Sequence, residues 1–222
     1  MRALVASLAG LLAGALPALA GDDADVMAAR KFAKPVMGTA CDFKTDEAGK
    51  PQGFNIVHQL TWRDGGQDQD SPDQKLTLVQ LECGTGAYNY SSIYVTRDGE
   101  GKWEVVTFAE PVAEYDYADE DFSKLKAPPK ISGFVTTNVL VNSEYSAQTR
   151  SIAAAATWRG VGDASSGGEW QFVAGRFVLK RFWMDPTFQA PDGEEDPNAP
   201  ASYTLHDTTA PEKWMPSKPE KE

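Results

Sequence analysis

The chain has 222 residues, a formal net charge of −11, two cysteines and two histidines. That length is enough to bury a real core in one domain or two small ones. The acidic balance, with no cluster of Lys and Arg to displace counterions, argues against nucleic acid and anionic lipid as partners.

Arg2 precedes an apolar run, Ala3 to Leu16, broken only by Ser7 and two glycines. Pro17 ends it, and Ala18-Leu19-Ala20 has the small-x-small pattern of a signal-peptidase site. This order predicts a secretory signal peptide over 1–20, cleaved after Ala20, and a periplasmic location. The run is shorter than the about 20 residues that a bilayer span needs, which argues against an anchor. After cleavage no membrane span is expected.

The next segment, Asp22 to Ala33, carries Ala, Met, Val and Arg at helical spacing and predicts one short helix. From Phe54 onward, short runs of Val, Ile, Thr and aromatics alternate with Gly, Pro and Asp, the signature of strands and turns. Expected strands are Phe54–Trp62, Lys75–Cys83, Asn89–Thr96, Lys102–Phe108, Gly133–Val141, Arg150–Trp158, Glu169–Val173, Arg176–Trp183 and Tyr203–His206. In the second, Thr77, Val79, Leu81 and Cys83 form one face while Gln80 and Glu82 form the other, as in a half-buried strand. Ala174-Gly175 predicts a tight hairpin. Asp64–Gln74 and Ala113–Lys130 read as loops, the latter with one helical turn at Asp121–Leu125. The composition of 207–222, rich in Pro and charge, predicts a disordered tail. The expected fold is mainly β, an antiparallel sheet, sandwich or open barrel, with one domain over 21–206.

Chemistry-bearing residues are sparse. Cys41 and Cys83 are an even pair in an exported chain, which points to a disulfide. Closing a loop of about 43 residues would contribute roughly 4 kcal/mol in the chain-entropy model. Two buried thiols or a metal pair are the other readings, but a two-Cys metal site would need nearby histidines. His58, mid-strand, reads as exposed; His206 lies near the tail. Neither makes a Ser-His-Asp or Cys-His arrangement. Gly84-Thr85-Gly86 lacks the third Gly and Lys of a phosphate loop and reads as a turn or bulge. The acidic runs around Asp68 and Asp192 lack EF-hand spacing and read as solvated loops. Trp103, Trp158, Trp170 and Trp183 read as core, with a sugar groove as the other reading. No metal and no cofactor is expected.

Two segments carry a family resemblance. Cys83-Gly84-Thr85-Gly86-Ala87-Tyr88-Asn89-Tyr90-Ser91-Ser92 resembles the CxxGAYN-type segment of the DUF1176 family of bacterial exported proteins. Asn142 and Thr149-Arg150-Ser151-Ile152, then Arg159-Gly160-Val161-Gly162-Asp163, Trp170, Gly175, Phe177 and Leu179 follow in the order of that family's second signature. The resemblance covers roughly 80–185. Here Ala164-Ser165 stands where the family often has Cys, which leaves Cys83 free to pair with Cys41. The family has no assigned function, so the resemblance implies an address and a domain type without catalytic residues.

Within these segments Tyr88, Asn89, Arg159 and Asp163 are the candidate binding residues. Asp163 fits the role of fixing a glycine-rich turn, or of presenting a charged pair with Arg159. Tyr88 and Asn89 fit a bulge with a buried, hydrogen-bonded Tyr, or a ligand-facing polar pair. The expected function is non-catalytic binding of an envelope protein or small ligand. The alternative is a hydrolase of envelope glycans using paired carboxylates across a cleft.

Overall fold

The computed structural model describes residues 19–189 and 201–209, apart from Asp64, Gln67 and Gln69. Helix α1 spans Leu19–Met37. It is longer at both ends than Asp22–Ala33, and the expected cleavage point falls in its first turn. Val26, Ala29 and Ala33 are buried at helical spacing, and the alanines let the helix lie close to a sheet. The helix ends at Gly38, whose φ of +57° is a left-handed conformation that favours glycine.

Twelve strands follow in the described residues: β1 (Asn55–Trp62), β2 (Gln74–Thr85), β3 (Tyr90–Asp98), β4 (Trp103–Val105), β5 (Phe108–Glu114), β6 (Lys130–Thr137), β7 (Val139–Val141), β8 (Glu144–Ser146), β9 (Ser151–Thr157), β10 (Ser165–Val173), β11 (Arg176–Asp185) and β12 (Tyr203–Asp207). All pairings are antiparallel. One sheet runs β1-β2-β3-β4, with β7 also on β3; the second runs β12-β11-β10-β9-β8; β5 and β6 form a separate ribbon. Neither sheet closes into a barrel. The fold is the mainly antiparallel β class read from the alternation.

Three layers result. Leu60, Leu76, Leu78, Tyr94 and Leu140 of the first sheet meet Ile152, Trp170, Phe172, Leu179 and Phe182 of the second. On the other face of the first sheet, Val79, Leu81, Cys83, Ile93 and Val95 pack on Val26, Ala29 and Ala33 of α1. Strand β2 is therefore buried on both faces, where a half-buried strand was expected. Gln80 does face away from Val79, but into the space between the sheets. It is 1% exposed, and its amide donates to Ser92 Oγ (3.1 Å) and Ser143 O (2.8 Å).

The disulfide reading holds: Cys41 and Cys83 are bonded, with Cα atoms 4.4 Å apart. Asp42 N donates to Cys83 O at 2.8 Å, so the segment after α1 is tied to β2 by backbone as well. Both half-cystines sit in the helix-side core.

Other expectations are corrected. Lys102–Phe108 and Gly133–Val141 each divide into two strands, because the chain leaves the first sheet for the ribbon at 106–107 and returns at Asn138. Asn138 Nδ2 donates to Val106 O (3.2 Å) and pins both crossings together. Strand β5 extends to Glu114, into the expected loop. Asp121–Leu125 is no helical turn: Tyr117 and Leu125 form an isolated antiparallel bridge. Asp207, expected in the tail, ends β12, and Thr208 N donates to Lys180 O (2.9 Å). The remainder of that tail, and residues 1–18 of the expected signal peptide, lie outside the described residues. Trp170 is core at 1% exposed, whereas Trp158 is 37% exposed. Trp183 lies across Gly167, where an added Cβ would come within 2.7 Å of the indole.

Candidate functional site

The turn between β2 and β3 and the loop between β9 and β10 meet at one end of the molecule. Asn89 anchors the junction. Its amide donates to Thr157 O (2.7 Å), and its Oδ1 accepts from Asn142 Nδ2 (2.8 Å) and Thr157 N (3.3 Å). Asn142 in turn accepts from Tyr90 N (2.9 Å) and donates to Ala155 O (3.0 Å). At φ +44°, Asn142 occupies the left-handed region that asparagine tolerates best among side-chain-bearing residues. The two asparagines thus stitch the first sheet to β9, with Asn89 bonded to the Asn142 side chain and to the Thr157 backbone.

Tyr88 is not the buried tyrosine expected. It is 51% exposed, and its ring lies against Gly160, where a Cβ would approach Cε1 to 3.2 Å. Gly160 therefore makes room for this contact.

Arg159 and Asp163 form the expected pair, Nη2 to Oδ2 at 3.0 Å. The Asp163 side chain is only 10% exposed, while that of Arg159 is 40% exposed. Asp163 also accepts from Ala164 N (3.1 Å) and from Gln189 N (2.8 Å). It fixes its own turn and fastens the segment after β11 beside it. Arg159 reaches over the Phe188 ring, 4.3 Å from its centroid, a cation–π contact.

From Phe188 a row of edge-to-face rings continues outward. Phe188 meets Phe122 at 5.7 Å, Phe122 meets Tyr117 at 4.9 Å, and Tyr117 meets Tyr115 at 5.7 Å. The backbone supports this row: Phe188 N donates to Phe122 O (2.9 Å). Burial, reinforced by Tyr115, pushes the Tyr117 hydroxyl up to about 12. It stays protonated and donates to Pro186 O (2.8 Å). Phe122 is 46% exposed, Tyr115 36% and Val161, at the loop tip, 69%. Trp158 donates its indole N–H to Ser166 Oγ at 3.1 Å and leaves a ring edge to water.

Three of the four candidates, Tyr88, Arg159 and Asp163, therefore converge, with Asn89 holding the junction behind them. The rings at 115, 117 and 122 lie in the segment read as a loop, and Phe188 in a stretch to which no element was assigned. Their signal was present as Tyr115, Tyr117 and Phe122 within an otherwise acidic stretch.

Other chemistry-bearing groups lie apart. His58 is half-buried between the sheets, where an exposed position was expected. Its ring is 4.7 Å from Tyr145, its Nε2 has no hydrogen-bond partner among the described residues, and burial lowers its pKa despite the nearby Glu144 carboxylate. His206 packs edge-on to Phe134 at 6.0 Å. Glu110 has its pKa raised by burial alone. Gly84 sits at an irregularity in the β2–β3 pairing, so the Gly84-Thr85-Gly86 segment is the bulge and turn it was read as.

Among the described residues no helix is long and apolar enough to cross a membrane. No curated protein and no solved structure matches the chain. Both loops that build the site fall inside one stretch that does match: the family model described as protein of unknown function (DUF1176) covers residues 67–200, more than half of the chain, which belongs to that family.

Proposed function

We propose that this is an exported, periplasmic protein that binds an envelope component, without catalysis, through its aromatic loop end. One observation carries the reading. Side chains from four separate chain segments converge there, yet Tyr88, Phe122, Trp158 and Val161 stay more than a third exposed. A folded chain ordinarily turns such rings inward, and contiguous exposed apolar groups with a polar rim mark interaction surfaces. Arg159, held by Asp163 and Phe188, supplies a pre-oriented charge at the centre of that surface. The surface is an open row of rings, which suits a protein or polymer better than a small metabolite.

Export is supported by the charge, apolar run and Ala18-Leu19-Ala20 site at the N-terminus, and by a disulfide of the kind that oxidising compartments maintain. The hydrolase reading has no comparable support. A facing carboxylate would add its own charge to the raised pKa of Glu110, and burial is its sole cause.

The test is capture from periplasmic extract with the tagged mature chain, beside a Tyr88→Ala, Val161→Asp variant. Partners held by the parent and lost from the variant, at equal melting temperature, are the expected result. Equal capture by both would remove the loop end as the binding surface. Recovery of the uncleaved chain from the cytosol would remove the export reading.

A further inference from the structure

The second sheet has an outer face that the core does not use. Pairing sets Glu144 beside Ala153, Ala153 beside Glu169, and Glu169 beside Arg181. In the next row Ala155 stands beside Gly167, and Gly167 beside Trp183. These positions alternate along their strands with Tyr145, Ile152, Trp170 and Phe182, which turn inward, so they share the opposite face. Helix α1 lies on the first sheet, and among the described residues no helix covers this face.

An open cavity of about 340 Å³ occupies it. Its floor is the alanine run 153–155, a residue type that strands disfavour. Ala153 and Ala155 are exposed yet present only methyl groups. A glycine inside a strand often marks a close approach by another group. Here Gly167 admits the indole of Trp183, which lies across it and forms one wall of the cavity.

The remaining walls are polar. Glu144 stands on one side, with Glu169 and Arg181 on the other. Glu169 is held from two directions: it accepts from Ser151 Oγ (2.9 Å) and lies 3.9 Å from Arg181 Nη2. Trp158 and Trp170 donate their indole N–H to Ser166 and Ala109, but that of Trp183 has no partner among the described residues.

We infer that this cavity binds one pyranose residue of a neutral glycan whose ring substituents are equatorial. Such a ring has a flat face of C–H groups, matched to an indole, and a rim of hydroxyls. Each hydroxyl both donates and accepts, and the walls offer both kinds of partner. Glu144 and Glu169 accept, while Arg181 and the Trp183 N–H donate. The volume lies at the lower end of small-molecule sites, about 300–1,000 Å³, which suits one ring with its neighbours running into solvent. Two carboxylates against one guanidinium oppose a phosphate or an acidic sugar. An extended peptide is also disfavoured, because β9, β10 and β11 are each paired on both sides and leave no backbone edge to extend. Occupancy of this face does not depend on the loop-end surface.

The test is titration of the mature, disulfide-bonded chain with cellotetraose and chitotetraose to about 10 mM, read by calorimetry and by the Trp183 indole N–H resonance. Saturable binding of at least one tetrasaccharide is expected, with that resonance shifted. Trp183→Ala weakens it about tenfold or more, and Glu169→Gln by a smaller factor. Val178→Ala, exposed on the same face but outside the cavity, leaves it unchanged. Failure of both sugars to saturate overturns the inference. So does binding that leaves the Trp183 resonance unmoved, a result that needs no variant. Equal binding of sorbitol, which has hydroxyls without a ring face, overturns it as well.

Discussion

Strands β2 and β6 are both rich in β-formers, yet one is enclosed and the other stands in water. β2 lies at the centre of three layers, with the second sheet on one face and α1 on the other. β6 belongs to a ribbon of two strands that no layer covers on both sides. The difference teaches that strand composition sets the local geometry, while the number of layers around a strand sets its energetic weight. In β2 four of the six residues from Leu76 to Leu81 are apolar and all six are buried, whereas β6 interleaves Ser, Gly and Thr among apolar groups that stay exposed. Strands enclosed on both sides carry apolar residues on both faces.

The comparison breaks most easily by substitution. Trp170→Ala removes a ring that fills the space between the sheets and donates to Ala109 O (2.8 Å). A loss of about 3–5 kcal/mol is expected in urea unfolding. Thr136→Ala on the ribbon shifts the same curve by less than about 0.5 kcal/mol. Comparable losses at the two positions would mean that the ribbon is as integral as the core.

Replacing both cysteines, Cys41→Ser with Cys83→Ser, tests how the helix layer is held. The bridge closes a span of 42 residues between the end of the helical segment and β2. Its removal costs about 2–4 kcal/mol, read as a lower urea midpoint. Protection of α1 amides falls with it, while that of β10 and β11 changes less.

The smallest effect concerns His58. Its imidazole is neutral in the fold because burial lowers its pKa, whereas the unfolded chain titrates near 6.5. Between the folded value and about 6.5 the unfolded state holds more protons, so stability rises with pH up to about 6.5 and is lost on acidification. His58→Gln flattens that slope. Urea midpoints taken on either side of this window, for parent and variant, measure the difference.

Much of this was legible residue by residue. Alternation and turn residues placed β1, β2, β3, β9, β10 and β11 within a few positions, because each depends mainly on its own periodicity. Tyr88, Arg159 and Asp163 were legible because they lie in short glycine-rich segments whose geometry is local. What escaped was long-range. The two crossings between the first sheet and the ribbon depend on Asn138 reaching Val106. The burial of His58 comes from Tyr145 on β8, a strand too short to announce itself. The ring row joins Phe122 to Phe188 across 66 positions of chain, beyond the reach of any window.

The double enclosure of β2 raises a problem of alignment. Where one side of a strand meets water, sliding it by a single residue puts its oily groups in solvent, and the cost selects the correct frame. Sliding β2 would only trade Leu78 and Val79 between two dry compartments, and oiliness could hardly tell the frames apart. The choice falls to Gln80, which would lose both acceptors and arrive beneath the helix, and to Cys83, which would turn away from Cys41.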